Sequence, residues 1–150
     1  MNILIAVDGS LCSTKAAEFV AERAWRENDS FIILTILEPM PHDLGYGDAT
    51  LEAKALEDRK NKARCECEAI VDNASSIIKE AHPLNDVKTE IVHGLAVDEI
   101  VAFSKTWPAD LIVVGSHGRG GLEKILIGSV AERILHQAQC VVEIVKHNPK

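Results

Sequence analysis

The sequence lacks the features that mark membrane-spanning, exported and metal-binding proteins. No apolar run approaches the roughly 18 residues that a membrane-spanning helix needs. The opening stretch MNILIAVDGS has an apolar run too short for a signal peptide and carries no basic region before it. The 4 cysteines are few and irregularly spaced, and none has the partner spacing of a metal site. We therefore expect a cytoplasmic protein with reduced thiols, no metal site and no membrane contact.

Positive charge is also scarce. The chain has 16 Lys and Arg against 23 Asp and Glu, a net charge of −7. A protein face that binds nucleic acid needs a basic stripe, so we expect no nucleic-acid partner. An anionic small ligand stays open, provided that positive potential is concentrated locally. At 150 residues, with 47% apolar and 26% charged residues, the chain is expected to be a single soluble domain over 1–150.

Five short apolar runs rich in β-branched residues predict strands. They are Ile3–Val7, Phe31–Leu37, Val87–Val92, Leu111–Val114 and Val141–Val145. The first, second and fourth runs are nearly continuous, as in parallel strands that are covered on both faces. The third and the last contain polar residues, which is typical of edge strands.

Helical patterns separate these strands. The apolar positions recur at helical spacing: Ala17, Val20, Ala21 and Ala24 in the first helix, and Leu56, Ala63, Cys67, Ile70, Ala74, Ile77 and Ala81 in a longer one. Cys67 is thereby expected to be a core residue. A third helix is predicted from about Val97 to Thr106, and a fourth begins at Ser129. The alternation predicts an α/β fold with one open, mostly parallel five-stranded sheet and helices on both faces.

Ligands of such sheets bind beyond the carboxyl ends of the strands, where the strand order reverses. Three loops follow strands at that edge: VDGS, LEPMP and the glycine loop after the fourth strand. The glycine loop has the pattern Gly115-x2-Gly118-x9-Gly128-Ser129. It is not one of the widespread phosphate motifs, because the chain has no Gly-Lys pair, no G-x-G-x-x-G and no G-x-S-x-G.

This loop has the residue types of a phosphate cradle. Gly115 and Gly118 permit close backbone approach and a positive φ. Gly128 and Ser129 open the last helix, whose unpaired N–H groups form an anion site. The nine residues between the two glycine pairs suffice to bring both pairs to one group. Ser129 would add a hydroxyl, and Arg119 and Lys124 would add positive charge.

A second interpretation needs no ligand. Ser129-x-x-Glu132 is also a capping box, in which the serine side chain caps the helix. Spacing alone leaves both interpretations open.

The pattern from Gly115 to Ser129 resembles the G-2x-G-9x-G-[S/T] signature of the ATP-binding branch of the universal stress protein family. The stretches ILIAVDGS, ADLIVVGSHGRGG and GSVAERIL are similar to the same family, in order over essentially the whole chain. The resemblance implies a Rossmann-like fold similar to the adenine nucleotide alpha hydrolases. It also implies a dimeric stress-response regulator that binds ATP. Because ATP carries about four negative charges and the chain is acidic, we expect Mg²⁺ to accompany it.

The resemblance assigns roles at the adenosine end of the ligand. Asp8 would lie near the adenine and ribose, Val7 and Ile36 would line the adenine slot, and Gly115 would approach the ribose. The residues alone also allow Asp8 to be an N-terminal cap of the next helix, and Val7 and Ile36 to be plain core.

The resemblance likewise assigns the phosphate end. Gly118, Gly128, Ser129 and Val130 would hold the phosphates, mostly through backbone N–H groups. Ser116, His117 and Arg119 would line the loop with weaker roles.

The resemblance further implies a homodimer formed through the last strand, Val141–Val145, since an edge strand has free N–H and C=O groups. Here Val141 stands where the family often has proline, and Glu143 lies inside the strand.

Two other functions remain: a slow ATP hydrolase of the same fold, or a nucleotide-free dimeric partner protein. We expect that the protein is not an enzyme, because its stretch VDGSLCS lacks the S-G-G-x-D-S run of ATP pyrophosphatases.

Overall fold

Strands and helices alternate along the chain, as predicted. The structure, a computed structural model, describes residues 1–39, 52–119 and 127–147. The elements are β1 (Asn2–Ala6), α1 (Leu11–Glu22), β2 (Ser30–Leu37), α2 (Glu52–Ala81), β3 (Asp86–His93), α3 (Ala96–Thr106), β4 (Leu111–Gly115), α4 (Ser129–Gln137) and β5 (Val141–Val145). The predicted strands are confirmed, with ends that differ by at most one residue.

The five strands form one open sheet in the order β3-β2-β1-β4-β5, and every neighbouring pair is parallel. The strands with polar residues, β3 and β5, are the two edges, as expected. The chain moves from β1 outward to β3 and then returns to the other side of β1. The strand order therefore reverses between β1 and β4, and a ligand site is expected at their carboxyl ends.

Alternate residues of the central strands supply two apolar layers. In β2, Phe31 and Ile33 pack with residues of α1 and α2, among them Val20 and Ile78. Leu34 faces the opposite layer, which includes Ile134 of α4. These side chains are fully buried, so both faces of the sheet are covered by helices. In the described part of the chain, no helix is long and apolar enough to cross a membrane.

The first helix is shorter than predicted. α1 ends at Glu22, and Ala24 lies beyond it on the surface. The carbonyl of Val20 accepts hydrogen bonds from the Trp25 indole at 2.8 Å and from the Arg23 amide at 3.4 Å. Continuation of the helix would have used that carbonyl for the amide of Ala24. The Trp25 side chain thereby takes the place of the next helical hydrogen bond.

The apolar stripe of α2 is confirmed in part. Cys67 and Ala74 are buried as expected, whereas Ala81 is exposed. Val71 and Ile78 are buried core residues that the predicted stripe omitted.

Glu143, the polar residue inside β5, has a partner at the C-terminal end of α1. Glu143 accepts a hydrogen bond from Arg23 at 3.0 Å, and the Arg23 guanidinium also lies 4.9 Å from the centre of the Trp25 ring. Arg23 therefore accommodates the charge that Glu143 brings into the edge strand.

Replacement of Ile33 by Ala should lower the free energy of unfolding by about 2–5 kcal/mol, because Ile33 is fully buried in the layer between β2 and α2. Urea unfolding followed by circular dichroism measures the change. The matched control is Leu84→Ala, whose side chain is 73% exposed and which should change stability by less than about 0.5 kcal/mol. Equal losses in both variants would contradict the core that is described here.

Candidate functional site

A cavity of about 680 Å³ lies at the carboxyl edge of the sheet, where the strand order reverses. The residues that the resemblance assigned to the ligand all line this cavity: Val7, Asp8, Ile36, Gly115, Ser116, His117, Gly118, Arg119, Gly128, Ser129 and Val130. A smaller cavity of about 210 Å³ lies between α1 and α2. The fold therefore brings the predicted residues together, and their roles toward a ligand stay predictions.

The loop after β1 is fixed by the side chains of Asp8 and Ser10. Ser10, not Asp8, caps α1: its hydroxyl accepts from the Ser13 amide at 3.2 Å and donates to the carbonyl of His117 at 3.2 Å. The alternative that Asp8 caps the helix is therefore wrong. One carboxylate oxygen of Asp8 instead accepts from the Ser10 amide at 2.9 Å and closes a turn in which Gly9 has φ +78°.

The two halves of the glycine motif meet through one backbone hydrogen bond. The amide of Gly128 donates to the carbonyl of Ser116 at 2.6 Å. The amide of Ser116 donates in turn to the carbonyl of Val145 at 2.8 Å, and the Ser116 residue is only 1% exposed. The two ends of the loop are thereby brought together, as expected.

The fourth helix begins at this meeting point without a side-chain cap from the described residues. Gly128, with extended φ and ψ, is the N-cap, and Ser129 is the first helical residue. The capping-box interpretation of Ser129 and Glu132 is therefore wrong, because its serine lies one position too late. The first intrahelical bond runs from the Glu132 amide to the Gly128 carbonyl at 3.0 Å. The amides of the residues between them have no partner within the helix, which is the arrangement that a helix N-terminus offers to an anion.

Close approach, rather than a positive φ, explains the glycines of the loop. In the described residues a positive φ occurs at Gly9 and Gly94, so the expectation of positive φ at Gly115 and Gly118 is wrong. A Cβ on Gly115 would lie 2.6 Å from the carbonyl carbon of Cys12. One on Gly118 would lie 2.7 Å from an Asp8 carboxylate oxygen, and one on Gly128 would lie 3.0 Å from the Ser116 carbonyl oxygen.

Sequence reasoning missed two walls of the cavity. α2 contributes Ala63, Glu66 and Cys67, and α3 contributes Ala96 and Ile100. Ala63 and Cys67 belong to the apolar stripe of α2, and a stripe does not distinguish a cavity wall from a core. Burial raises the pKa of the Cys67 thiol, and the Arg119 guanidinium opposes that shift.

The charged residues that line the cavity are mostly acidic. Asp8, Glu38 and Glu66 face it, together with the single described cation Arg119. Within the described ranges, no group of three or more His, Cys, Asp or Glu residues could hold a metal ion. Lys124, which was expected to add charge, lies outside the described residues.

The parallel sheet, the reversed strand order and the glycine loop at that reversal define a Rossmann-like α/β protein. A family model, that of the universal stress protein family, matches residues 1–146. The chain belongs to this family.

The curated relatives cover different shares of the chain. The universal stress protein MJ0577 of Methanocaldococcus jannaschii is 30% identical over 85% of this chain and 72% of its own length. MJ0531 of the same organism is 48% identical over 43% of this chain and 38% of its own length. Rv2005c of Mycobacterium tuberculosis is 31% identical over 96% of this chain, which spans 47% of that protein. The chain thus spans about half or less of several relatives that it matches.

Solved structures share the fold over nearly the full length. The structure of MJ0577 aligns with a TM-score of 0.82 at 25% identity, covering 99% of this chain and 97% of that one. A universal stress protein in complex with cAMP aligns with a TM-score of 0.70 at 24% identity, covering 99% and 98%. An Arabidopsis thaliana member with AMP bound aligns with a TM-score of 0.66 at 18% identity, covering 99% and 92%.

Replacement of Gly115 by Ala should destabilise the protein even without ligand, by about 1–3 kcal/mol, because its Cβ would collide with the backbone of α1. Gly118→Ala should cost less, because the Cβ there meets a side-chain oxygen and not the backbone of a helix. Thermal unfolding of the ligand-free variants checks both. A stable Gly115→Ala protein would show that the contact between β4 and α1 is looser than described.

Proposed function

We propose that this protein binds an adenine nucleotide, with ATP and Mg²⁺ as the ligand pair, and acts as a non-catalytic regulator in the cytoplasm. The observation that carries the proposal is the bond between Gly128 and Ser116, which brings the end of β4 and the N-terminus of α4 into one cavity. Relatives with this fold support the adenine base, since one was solved with AMP and another with cAMP.

The phosphates would lie at the N-terminus of α4. Gly118, Ser129 and Val130 line the cavity there, and backbone N–H groups bind phosphate oxygens without adding net charge. Hydrogen bonds to a charged group contribute about 1.5–3 kcal/mol each, so four or five donors suffice for micromolar binding, which needs about 8 kcal/mol.

The adenosine would occupy the end of the cavity nearer to β1 and β2. Val7 and Ile36 come from the ends of these strands, and Asp8 supplies a carboxylate beside them. Apolar side chains would cover the faces of the base, while Asp8 would bind its polar edge or the ribose. Gly115 would let the backbone come close to the ribose.

Mg²⁺ follows from the charges of this cavity. ATP brings about four negative charges to a lining that already contains Asp8, Glu38 and Glu66, so a divalent cation must offset the repulsion. Since the described residues offer no three-ligand metal group, the ion would be held chiefly by the phosphates and by water.

Regulation fits this site better than catalysis. General acid–base or nucleophilic chemistry needs a base within reach of a nucleophile. Asp8 is the carboxylate beside Gly118, and its two oxygens already accept from Ser10 and Arg119. We therefore expect ATP to be bound and released with at most slow hydrolysis.

Titration of nucleotide-stripped protein with ATP, AMP and GTP, with and without Mg²⁺, tests the proposal. Thermal stability should rise with the adenine nucleotides and not with GTP, by about 2.7 kcal/mol at a hundredfold excess over the Kd.

In the double variant Gly118→Ala and Gly128→Ala, the new methyl groups reach into the loop, so ATP affinity should fall at least about a hundredfold while the fold persists.

Ser76→Ala, on the exposed side of α2, serves as the control and should bind like the unmodified protein. If no nucleotide shifts the unfolding temperature, the glycines only shape the loop, and a nucleotide-free partner protein becomes the better description. Vigorous ATP turnover would instead favour the hydrolase.

We further propose that the protein is a homodimer formed through β5. This strand is an edge of the sheet, and its first residue, Val141, is 65% exposed. Free backbone groups and an apolar side chain on one edge favour pairing with a second strand.

Replacement of Val141 by Lys should weaken such a dimer, because an edge lysine must lose hydration when two copies pair. Analytical ultracentrifugation should show dimers for the unmodified protein and a shift toward monomers for the variant. Lys146→Ala, just past the strand, is the control. A monomeric unmodified protein would contradict this assembly.

A further inference from the structure

Arg119 lies in the glycine loop, yet its hydrogen bonds run to the loop after β1. Its amide donates to a carboxylate oxygen of Asp8 at 3.2 Å. Its side-chain Nε donates to the backbone carbonyl of Asp8. The same residue therefore contacts both polar ends of Asp8, across 111 positions of sequence.

The rest of the Arg119 side chain continues in the same direction. Its Nη2 lies 3.5 Å from the point that a Cβ on Gly9 would occupy. Its charge also acts on the Cys67 thiol, where burial raises the pKa and Arg119 opposes the shift. The guanidinium thus lies beside the β1–α1 loop, close enough to α2 for its charge to act on Cys67.

Asp8 is held at three points by these contacts. Ser10 donates to one carboxylate oxygen at 2.9 Å, and Arg119 binds the other oxygen and the backbone carbonyl. Gly118 adds a steric constraint, because any side chain there would collide with the Asp8 carboxylate. The direction of the carboxylate is therefore set by the Ser10 amide on one side and by the Arg119 amide and Gly118 on the other.

We propose that Arg119 is a positioning residue for the adenosine part of the ligand: its Nε–H holds Asp8 in place, and its charge is not a phosphate contact. This inference rests on the proposed nucleotide function and deepens it. It predicts that loss of the Nε–H bond weakens binding equally for ligands with zero, one or three phosphates. A phosphate contact would instead matter more with each added phosphate.

Two substitutions separate the bond from the charge. Glutamine has an N–H donor at the same distance along its side chain as Nε of arginine, but it is neutral. Lysine keeps the charge, but it has a methylene group at that place and carries its ammonium one atom further out. Arg119→Gln therefore preserves the bond, whereas Arg119→Lys preserves the charge, and Arg119→Ala removes both.

Calorimetric titration of each variant with adenosine, AMP and Mg²⁺–ATP is the experiment. Arg119→Ala and Arg119→Lys should lose about tenfold in affinity for all three ligands, and Arg119→Gln should stay within about threefold of the unmodified protein. A tenfold loss corresponds to about 1.4 kcal/mol, within the range of a hydrogen bond to a charged donor. Arg133→Ala, whose side chain pairs with Asp98 at 3.6 Å on the surface, is the matched control and should bind normally.

The opposite pattern would overturn the inference. If adenosine affinity is unchanged in Arg119→Ala, and if lysine but not glutamine restores ATP affinity, Arg119 is a phosphate contact. Equal loss in all three variants would also contradict the assignment of the bond to Nε.

Amide hydrogen exchange of the ligand-free protein gives a second readout. The amides of residue 119 and Ser10 should exchange at least about tenfold faster in Arg119→Ala and Arg119→Lys, and near the original rate in Arg119→Gln. Unchanged exchange in Arg119→Ala would overturn the inference. If the unmodified protein binds no adenine compound, the proposed function fails, whereas the exchange rates still decide whether Arg119 holds Asp8.

Discussion

The hydrogen bond from the Gly128 amide to the Ser116 carbonyl is the contact on which the candidate site depends. At 2.6 Å it joins the residue after β4 to the residue before α4. The amide of the same residue, Ser116, donates to the carbonyl of Val145 at the end of β5. The direction of α4, and with it the direction of its unpaired N–H groups, is therefore set by the central sheet. Since both bonds use backbone groups, they depend on close packing rather than on the chemistry of any one side chain.

The three glycines of the motif serve this packing in different ways. Gly115 lets the end of β4 lie against the backbone of α1, which is a requirement of the fold with or without a ligand. Gly118 leaves room for the Asp8 carboxylate, and Gly128 lets the start of α4 approach Ser116. One sequence signature thus combines a constraint on folding with two constraints on the shape of the cavity. Affinity alone cannot separate them, whereas stability of the ligand-free protein can.

Much of this arrangement follows from local sequence patterns, and the remainder depends on long-range contacts. Apolar runs predicted the strands. The polar residues of β3 and β5 predicted the sheet edges, because strands covered on both faces are almost entirely apolar whereas exposed strands contain polar residues. The predicted extension of α1 to Ala24 was wrong. The Val20 carbonyl, which a longer helix would have used, binds the Trp25 indole, and helical periodicity does not predict that contact. The α2 wall was missed for a related reason, since an apolar stripe has the same spacing whether it faces a core or a cavity.

The bonds from Arg119 to Asp8 are also long-range contacts that local sequence patterns do not predict. An arginine beside glycines in a proposed phosphate loop suggests a charge for the phosphates, yet in the folded chain its amide and its Nε–H both donate to Asp8. An acidic cavity can still bind an anion, because helix N–H groups act at short range and add no net charge to a chain of −7. A nucleotide site of this kind would discriminate by geometry more than by total charge. An anion without the right shape would meet the repulsion of Asp8, Glu38 and Glu66, whereas a nucleotide that fits can add contacts to its base and ribose that offset it.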